Sequence, residues 1–274
     1  MISFARLPDG ARIAYEVRGP EGAAFILLLR PLGGSMASWG ELREALATRL
    51  RVIAFDARGM GRSSAAPWTT STRTMARDAR GLLDALGVER AHVYGISLGG
   101  MVASWLAIEA PSRVDRLVLA STVPKGTMLR RYAPLRALSI ARCLAHPAPQ
   151  AEGCLATRVL SREFRREHPG EVEAVRVAAA AHPSSHRSLV ILLVAAARHD
   201  AYGRLGEIAA DTLLVAGERD HILGRSSQQS MLGRIPRARL VVVPGAGHDV
   251  SVEAPRWVAE RVMEHLSTGY HRRP

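Results

Sequence analysis

The sequence predicts an α/β fold, with a mostly parallel central sheet flanked by helices and an inserted helical cap. Three observations carry that expectation. Apolar runs at 24–29, 51–55 and 92–96 are each followed by a turn and then helical periodicity, the alternation that builds a parallel sheet through right-handed crossovers. The stretch His92-Val93-Tyr94-Gly95-Ile96-Ser97-Leu98-Gly99-Gly100 reads as strand, sharp turn and helix, with Ser97 on the turn. Between Pro124 and Ile208 the pattern is helical, and strand character resumes only at Thr212–Ala216 and Arg239–Val243.

Taken in order, Ser3–Leu7, a Pro8-Asp9-Gly10 turn and the alternating Ala11–Val17 predict a first hairpin, both strands at a sheet edge. Ala24–Leu29 is an unbroken apolar run of the kind a strand buried on both faces shows. The loop Arg30-Pro31-Leu32-Gly33-Gly34-Ser35 then stands at a strand's carboxyl end, where open α/β sheets hold their ligands. Trp39, Leu42, Leu46 and Leu50 mark a helix, and Arg51–Phe55 is the next buried strand. It opens into Asp56-Ala57-Arg58-Gly59-Met60-Gly61, a glycine-rich turn that an Asp56–Arg58 ion pair is expected to hold. Thr74–Leu86 is a helix stopped by Gly87, and Val114–Ser121 is a strand after the Ser97 segment.

The helical stretch that follows divides the chain into a core of residues 1–123 and 209–274 and a cap of 124–208. Its expected helices are Leu129–Leu144, Glu152–Glu167, Gly170–Ala181 and Ser185–Arg198. A cap over the strand ends would exclude water and select substrates. Leu135, Leu138, Leu144, Val190 and Leu193 suggest a mainly apolar pocket beneath it.

Composition narrows the class. Hydrophobic residues make up 47% and charged residues 23% of the 274 residues, as in an ordinary globular protein. The net charge of +12 invites a nucleic-acid reading, but the arginines are dispersed over the chain instead of forming a basic run, so no nucleic-acid partner is expected. The longest apolar run, Leu189–Ala197, is too short to cross a bilayer, and the opening residues lack an export signal, so a cytoplasmic protein without a membrane partner is expected. In a reducing compartment Cys143 and Cys154 are expected as two thiols. Histidines, cysteines and acids do not recur at metal-ligand spacings, and no phosphate-binding glycine loop is present, so neither metal nor cofactor is expected.

Gly95-Ile96-Ser97-Leu98-Gly99 has the G-x-S-x-G form of a nucleophile elbow. Small residues flank the serine because strand and helix backbones nearly touch when it is forced into a strained turn. The turn also puts the N–H of Leu98 at a helix start, where an oxyanion would form. A serine hydroxyl needs an adjacent base, and the base needs a carboxylate to fix its tautomer. Both partners follow strand ends: Asp220 after Leu213–Ala216, and His248 after Leu240–Val243. The order Ser97, Asp220, His248 suits this type of elbow.

These pieces, with Leu32-Gly33-Gly34-Ser35 and Asp56-Ala57-Arg58-Gly59-Met60-Gly61-Arg62-Ser63, resemble the α/β-hydrolase fold over essentially the full length, in the group of cap-bearing esterases, lactonases and haloperoxidase-like enzymes. The surroundings of Leu32 and the short cap are similar to 3-oxoadipate enol-lactonases. The resemblance implies a serine hydrolase acting on a small-molecule ester or lactone, with the Leu32 N–H as second oxyanion donor. Carbon-carbon bond hydrolysis, thioester hydrolysis, a biosynthetic cyclisation and a non-catalytic small-molecule receptor are alternatives on the same fold. The chain departs from the family in one place, carrying Arg30-Pro31 where His-Gly is usual. Arg30 is therefore a candidate for binding a substrate carboxylate; the alternative is an arginine paired with a neighbouring acid and facing solvent.

Overall fold

The computed structural model describes residues 1–128 and 142–267. Among them eight strands form one sheet in the order β1-β2-β4-β3-β5-β6-β7-β8. The strands are β1 (Ser3–Arg6), β2 (Arg12–Arg18), β3 (Phe25–Leu29), β4 (Arg51–Phe55), β5 (Ala91–Ile96), β6 (Val114–Ala120), β7 (Asp211–Gly217) and β8 (Ala238–Val243). From β4 onward every neighbouring pair is parallel, and β1 and β2 are the antiparallel members.

Continuous apolar runs form the central strands because both faces are covered. Leu27, Leu29, Ile53 and Phe55 join one core layer, with Met75, Ala79 and Leu82 of α2 (Thr72–Ala85) and Val102 and Leu106 of α3 (Leu98–Glu109). Their sequence neighbours Ile26, Leu28, Val52 and Ala54 point the other way, toward Leu42 and Leu46 of α1 (Gly40–Ala47) and Val258 and Val262 near the carboxyl terminus. Strict alternation of side chains along a strand makes one run serve two layers. The hairpin behaves differently from expectation. β1 is at the edge, but β2 is paired on both sides, with Tyr15 opposite Phe55 of β4. A hairpin joined to a sheet through one strand leaves just the other at the edge.

Between β6 and β7 the described residues contain α4 (Ala148–Arg158), α5 (Arg162–Glu167), α6 (Pro169–Ala180) and α7 (His186–Ala197). The expected Glu152–Glu167 helix is two helices. Ser161 ends the first segment by capping the second, its Oγ accepting from Phe164 N–H at 3.1 Å. Most of the expected Leu129–Leu144 helix, with Leu135 and Leu138, lies outside the described residues. Val190 faces outward, because α7 buries the Leu189, Leu192 and Ala196 side instead. The insertion rests on the carboxyl-end loops of the sheet: side-chain atoms of Glu152 and Leu189 lie over Gly33, and Leu192 over Gly59.

Cys143 and Cys154 are joined in a disulfide, with Cα atoms 5.5 Å apart, against the expectation of two thiols. The fold brings them within bridging reach, a proximity that two isolated cysteines eleven residues apart do not announce. The bridge lies in a small apolar cluster with Leu155 and Leu189, against which Leu32 packs. No helix among the described residues is long and apolar enough to cross a membrane.

Candidate active site

Ser97 sits between β5 and α3 at φ 54° and ψ −119°, a region that residues other than glycine seldom adopt. Close packing holds it there. A Cβ on Gly95 would stand 2.4 Å from the carbonyl oxygen of Gly99, as expected for strand and helix backbones in near contact. Gly99 is required by a different neighbour: a Cβ there would lie 2.1 Å from the carbonyl oxygen of Leu29, at the end of β3. The elbow is thus wedged against the adjacent strand as well as its own. Ser97 N–H donates to Ala120 O at 3.0 Å, and its carbonyl accepts from Thr122 Oγ1 at 2.7 Å, which anchors the turn to the end of β6.

The structure brings the three sequence-predicted polar residues together. His248 Nε2 is 2.9 Å from Ser97 Oγ, and His248 Nδ1 is 2.9 Å from Asp220 Oδ2. Asp220 Oδ1 accepts from Ile222 N–H at 2.8 Å and Leu223 N–H at 3.0 Å. Burial alone would push the Asp220 carboxyl upward. The charge of His248, its hydrogen bond and the two amides outweigh that and hold the group below the usual carboxylate range. An ionised Asp220 can only accept, so His248 Nδ1 is the donor in that contact, and the opposite ring nitrogen, Nε2, faces Ser97 Oγ. The histidine segment is also held by the insertion: His248 N–H donates to Val159 O at 3.1 Å. Glu253 accepts from Gly247 N–H at 3.0 Å, Ser161 N–H at 2.9 Å and Ser161 Oγ at 2.6 Å.

Leu98 is the first residue of α3, and first-turn amides have no partner inside a helix. Leu32 lies in the turn after β3, where Gly34 N–H donates to Pro31 O at 3.1 Å. Since β3 and β5 are neighbours in the sheet, both residues stand at adjacent strand ends.

One expectation for charged residues is corrected and another is met in part. Asp56 and Arg58 do not pair with each other. Asp56, fully buried, accepts from Met36 N–H at 2.7 Å and Arg62 N–H at 2.9 Å, whereas Arg58 binds Asp78 through two bonds and Asp9 through a third. The buried acid is met by inward-pointing amides, and the arginine stays at the rim between two carboxylates. Arg30 is paired with an acid, as the alternative reading expects, but it is buried and does not face solvent. Its Nη2 is 3.1 Å from Asp249 Oδ2, and its guanidinium lies 4.7 Å from the Trp39 ring centre.

Sequence reasoning missed Asp249, Glu253, Ser161 and Glu152. Glu152 of α4 is buried beside Gly33, accepts from Ser184 N–H at 2.9 Å, and has its carboxyl pushed up to about 7 by burial. Nothing local in the sequence marks these four, because each gains its meaning from a partner on a distant segment.

Residues 25–255 match the model of the alpha/beta hydrolase fold family, and the chain belongs to that family. Within it, the chain is 32% identical over 241 residues to a proposed carbamate hydrolase, RutD, of Variovorax paradoxus (strain S110), covering 87% of this chain and 90% of that one. It is 28% identical over 252 residues to 3-oxoadipate enol-lactonase 1 of Acinetobacter baylyi, covering 90% of each. The crystal structure of a hydrolase from Pseudomonas aeruginosa PA01 superposes with a TM-score of 0.84 at 30% identity, over 97% of this chain and 98% of that one.

Proposed function

We propose that the protein is a serine hydrolase that cleaves a carboxylic ester or lactone of a small, partly apolar substrate through an acyl-enzyme on Ser97. The observation that carries this reading is the unbroken relay from Ser97 Oγ to His248 to Asp220, 2.9 Å at each step. Ser97 Oγ attacks the acyl carbon while His248 Nε2 takes its proton. Asp220 holds the resulting imidazolium, and the Leu32 and Leu98 amides receive the oxyanion. His248 returns the proton to the departing alkoxide. A water, deprotonated by the same nitrogen, then releases the acid and restores Ser97. The steps use these side chains, the two backbone amides and water. Residues 124–208 serve as the cap and residues 1–123 with 209–274 as the core.

A carbamate presents the same kind of acyl carbon next to nitrogen, so the similarity to RutD makes carbamates the second substrate class. The test is initial rates on a panel of short and medium acyl esters, lactones and carbamates, wild type beside Ser97→Ala. Turnover should fall by roughly 10⁴-fold or more in the variant. Equal turnover in the two proteins, or none in folded wild type, would sink the reading.

A further inference from the structure

We infer that Arg30 is a positioning residue: its ion pair with Asp249 clamps the loop that carries Leu32 to the segment that carries His248, and so sets the oxyanion donor against the base. This rests on the serine-hydrolase reading above.

The two side chains are 219 residues apart in sequence, 3.1 Å apart in space, and 5% and 4% exposed. Arg30 stands two residues before Leu32, and Asp249 is bonded directly to His248. Between Arg30 and Leu32 lies Pro31, whose ring fixes φ and stiffens the link. A Cβ on Gly34 would lie 2.8 Å from Arg30 Nε, so the side chain folds back beneath its own loop. Its guanidinium carbon lies over Trp39, which meets Tyr94 of β5 edge-on at 5.6 Å, and Tyr94 Oη is 2.8 Å from Ser251 Oγ, two residues past Asp249. Loop, elbow strand and histidine segment therefore meet around one guanidinium.

Stability is a poor explanation for this pair. It makes a single bond, and Arg30 Nε, Arg30 Nη1 and Asp249 Oδ1 have no hydrogen-bond partner among the described residues. Buried pairs with unmet polar atoms are commonly matched or bettered by apolar side chains of similar size. What such chains cannot supply is direction. Recognition of a substrate anion is also disfavoured, since the charge is enclosed and already answered by Asp249.

The experiment compares wild type, Arg30→Met/Asp249→Leu and Asp249→Asn. Each is followed by thermal unfolding, by the rate at which a fluorophosphonate labels Ser97, read by mass spectrometry, and by kcat and KM on neutral and anionic 4-nitrophenyl esters. Wild type should be labelled at Ser97. The double variant should unfold no earlier than wild type, yet label and turn over about 10- to 100-fold more slowly, with KM moving less than about threefold on both esters. Asp249→Asn keeps an acceptor for Arg30 and should be slowed about three- to tenfold, so the inference stays testable if the double variant does not fold. Wild-type labelling in Asp249→Asn or in a folded double variant would overturn the inference. So would a loss confined to anionic esters, which would make Arg30 a substrate ligand. An unlabelled wild type would instead remove the serine-hydrolase reading, and the inference with it.

Discussion

Asp220, at a strand end of the sheet, and Glu152, in the helical insertion, are both buried carboxyl groups held in opposite ways. Burial opposes ionisation of both. Around Asp220 the fold converges a histidine and two amides, and the acid stays below the usual range. Around Glu152 it offers Ser184, with the negative Asp56 nearby, and the group is pushed up to about 7. The strand-end loops surround Asp220 with donors, whereas among the described residues no cation is paired with Glu152. Burial alone therefore does not predict ionisation; the count and sign of inward-pointing partners do.

The largest expected effect comes from breaking the better-served acid. Asp220→Asn should leave the fold in place but lower kcat by about 10⁴-fold, because an amide no longer selects the Nδ1-protonated tautomer of His248. Steady-state kinetics beside a melting curve check this, and a loss of tenfold or less would show that Asp220 does not orient the base. The contact between the two regions is next. Ser161→Ala removes both the cap of α5 and one bond to Glu253, and should cost about 1–3 kcal/mol by denaturant titration.

The smallest effect is a change in pH dependence. Glu152 has its proton affinity raised from 4.5 to about 7 on folding. Its contribution to stability is therefore complete below the unfolded value and lost as pH rises through about 7. Glu152→Gln should raise Tm at pH 8 by roughly 2–4 °C and change little at pH 4.5. An equal shift at both pH values would mean that packing, not ionisation, distinguishes the variant.

The same two regions differ in how much of them is legible in the chain. Strand-turn-helix around Ser97 was legible because a strained turn needs small neighbours, and Gly95 and Gly99 stand where the backbones nearly touch. Asp220 and His248 were legible as polar residues just past apolar strands. Less is visible in the insertion, where periodicity marks helices but not the break at Ser161, and where the apolar Val190 lies on a face that α7 turns outward. A helix's apolar side can meet the core, a pocket or another helix, and periodicity does not say which.

By itself, then, the sequence determined the alternation of strands and helices, the serine turn, and the order in which polar residues follow strand ends. Those features depend on neighbours a few positions away, through side-chain alternation, backbone sterics and turn chemistry. Tertiary structure alone decided that Arg30 meets Asp249 instead of solvent, that Arg58 leaves Asp56 to two amides, that Cys143 and Cys154 are bridged, and that Glu253 ties His248's loop to the insertion. Each of these is a pairing between distant segments. A residue's local pattern carries its chemistry, but the partner that fixes its charge or direction arrives only when the sheet brings its strand ends together.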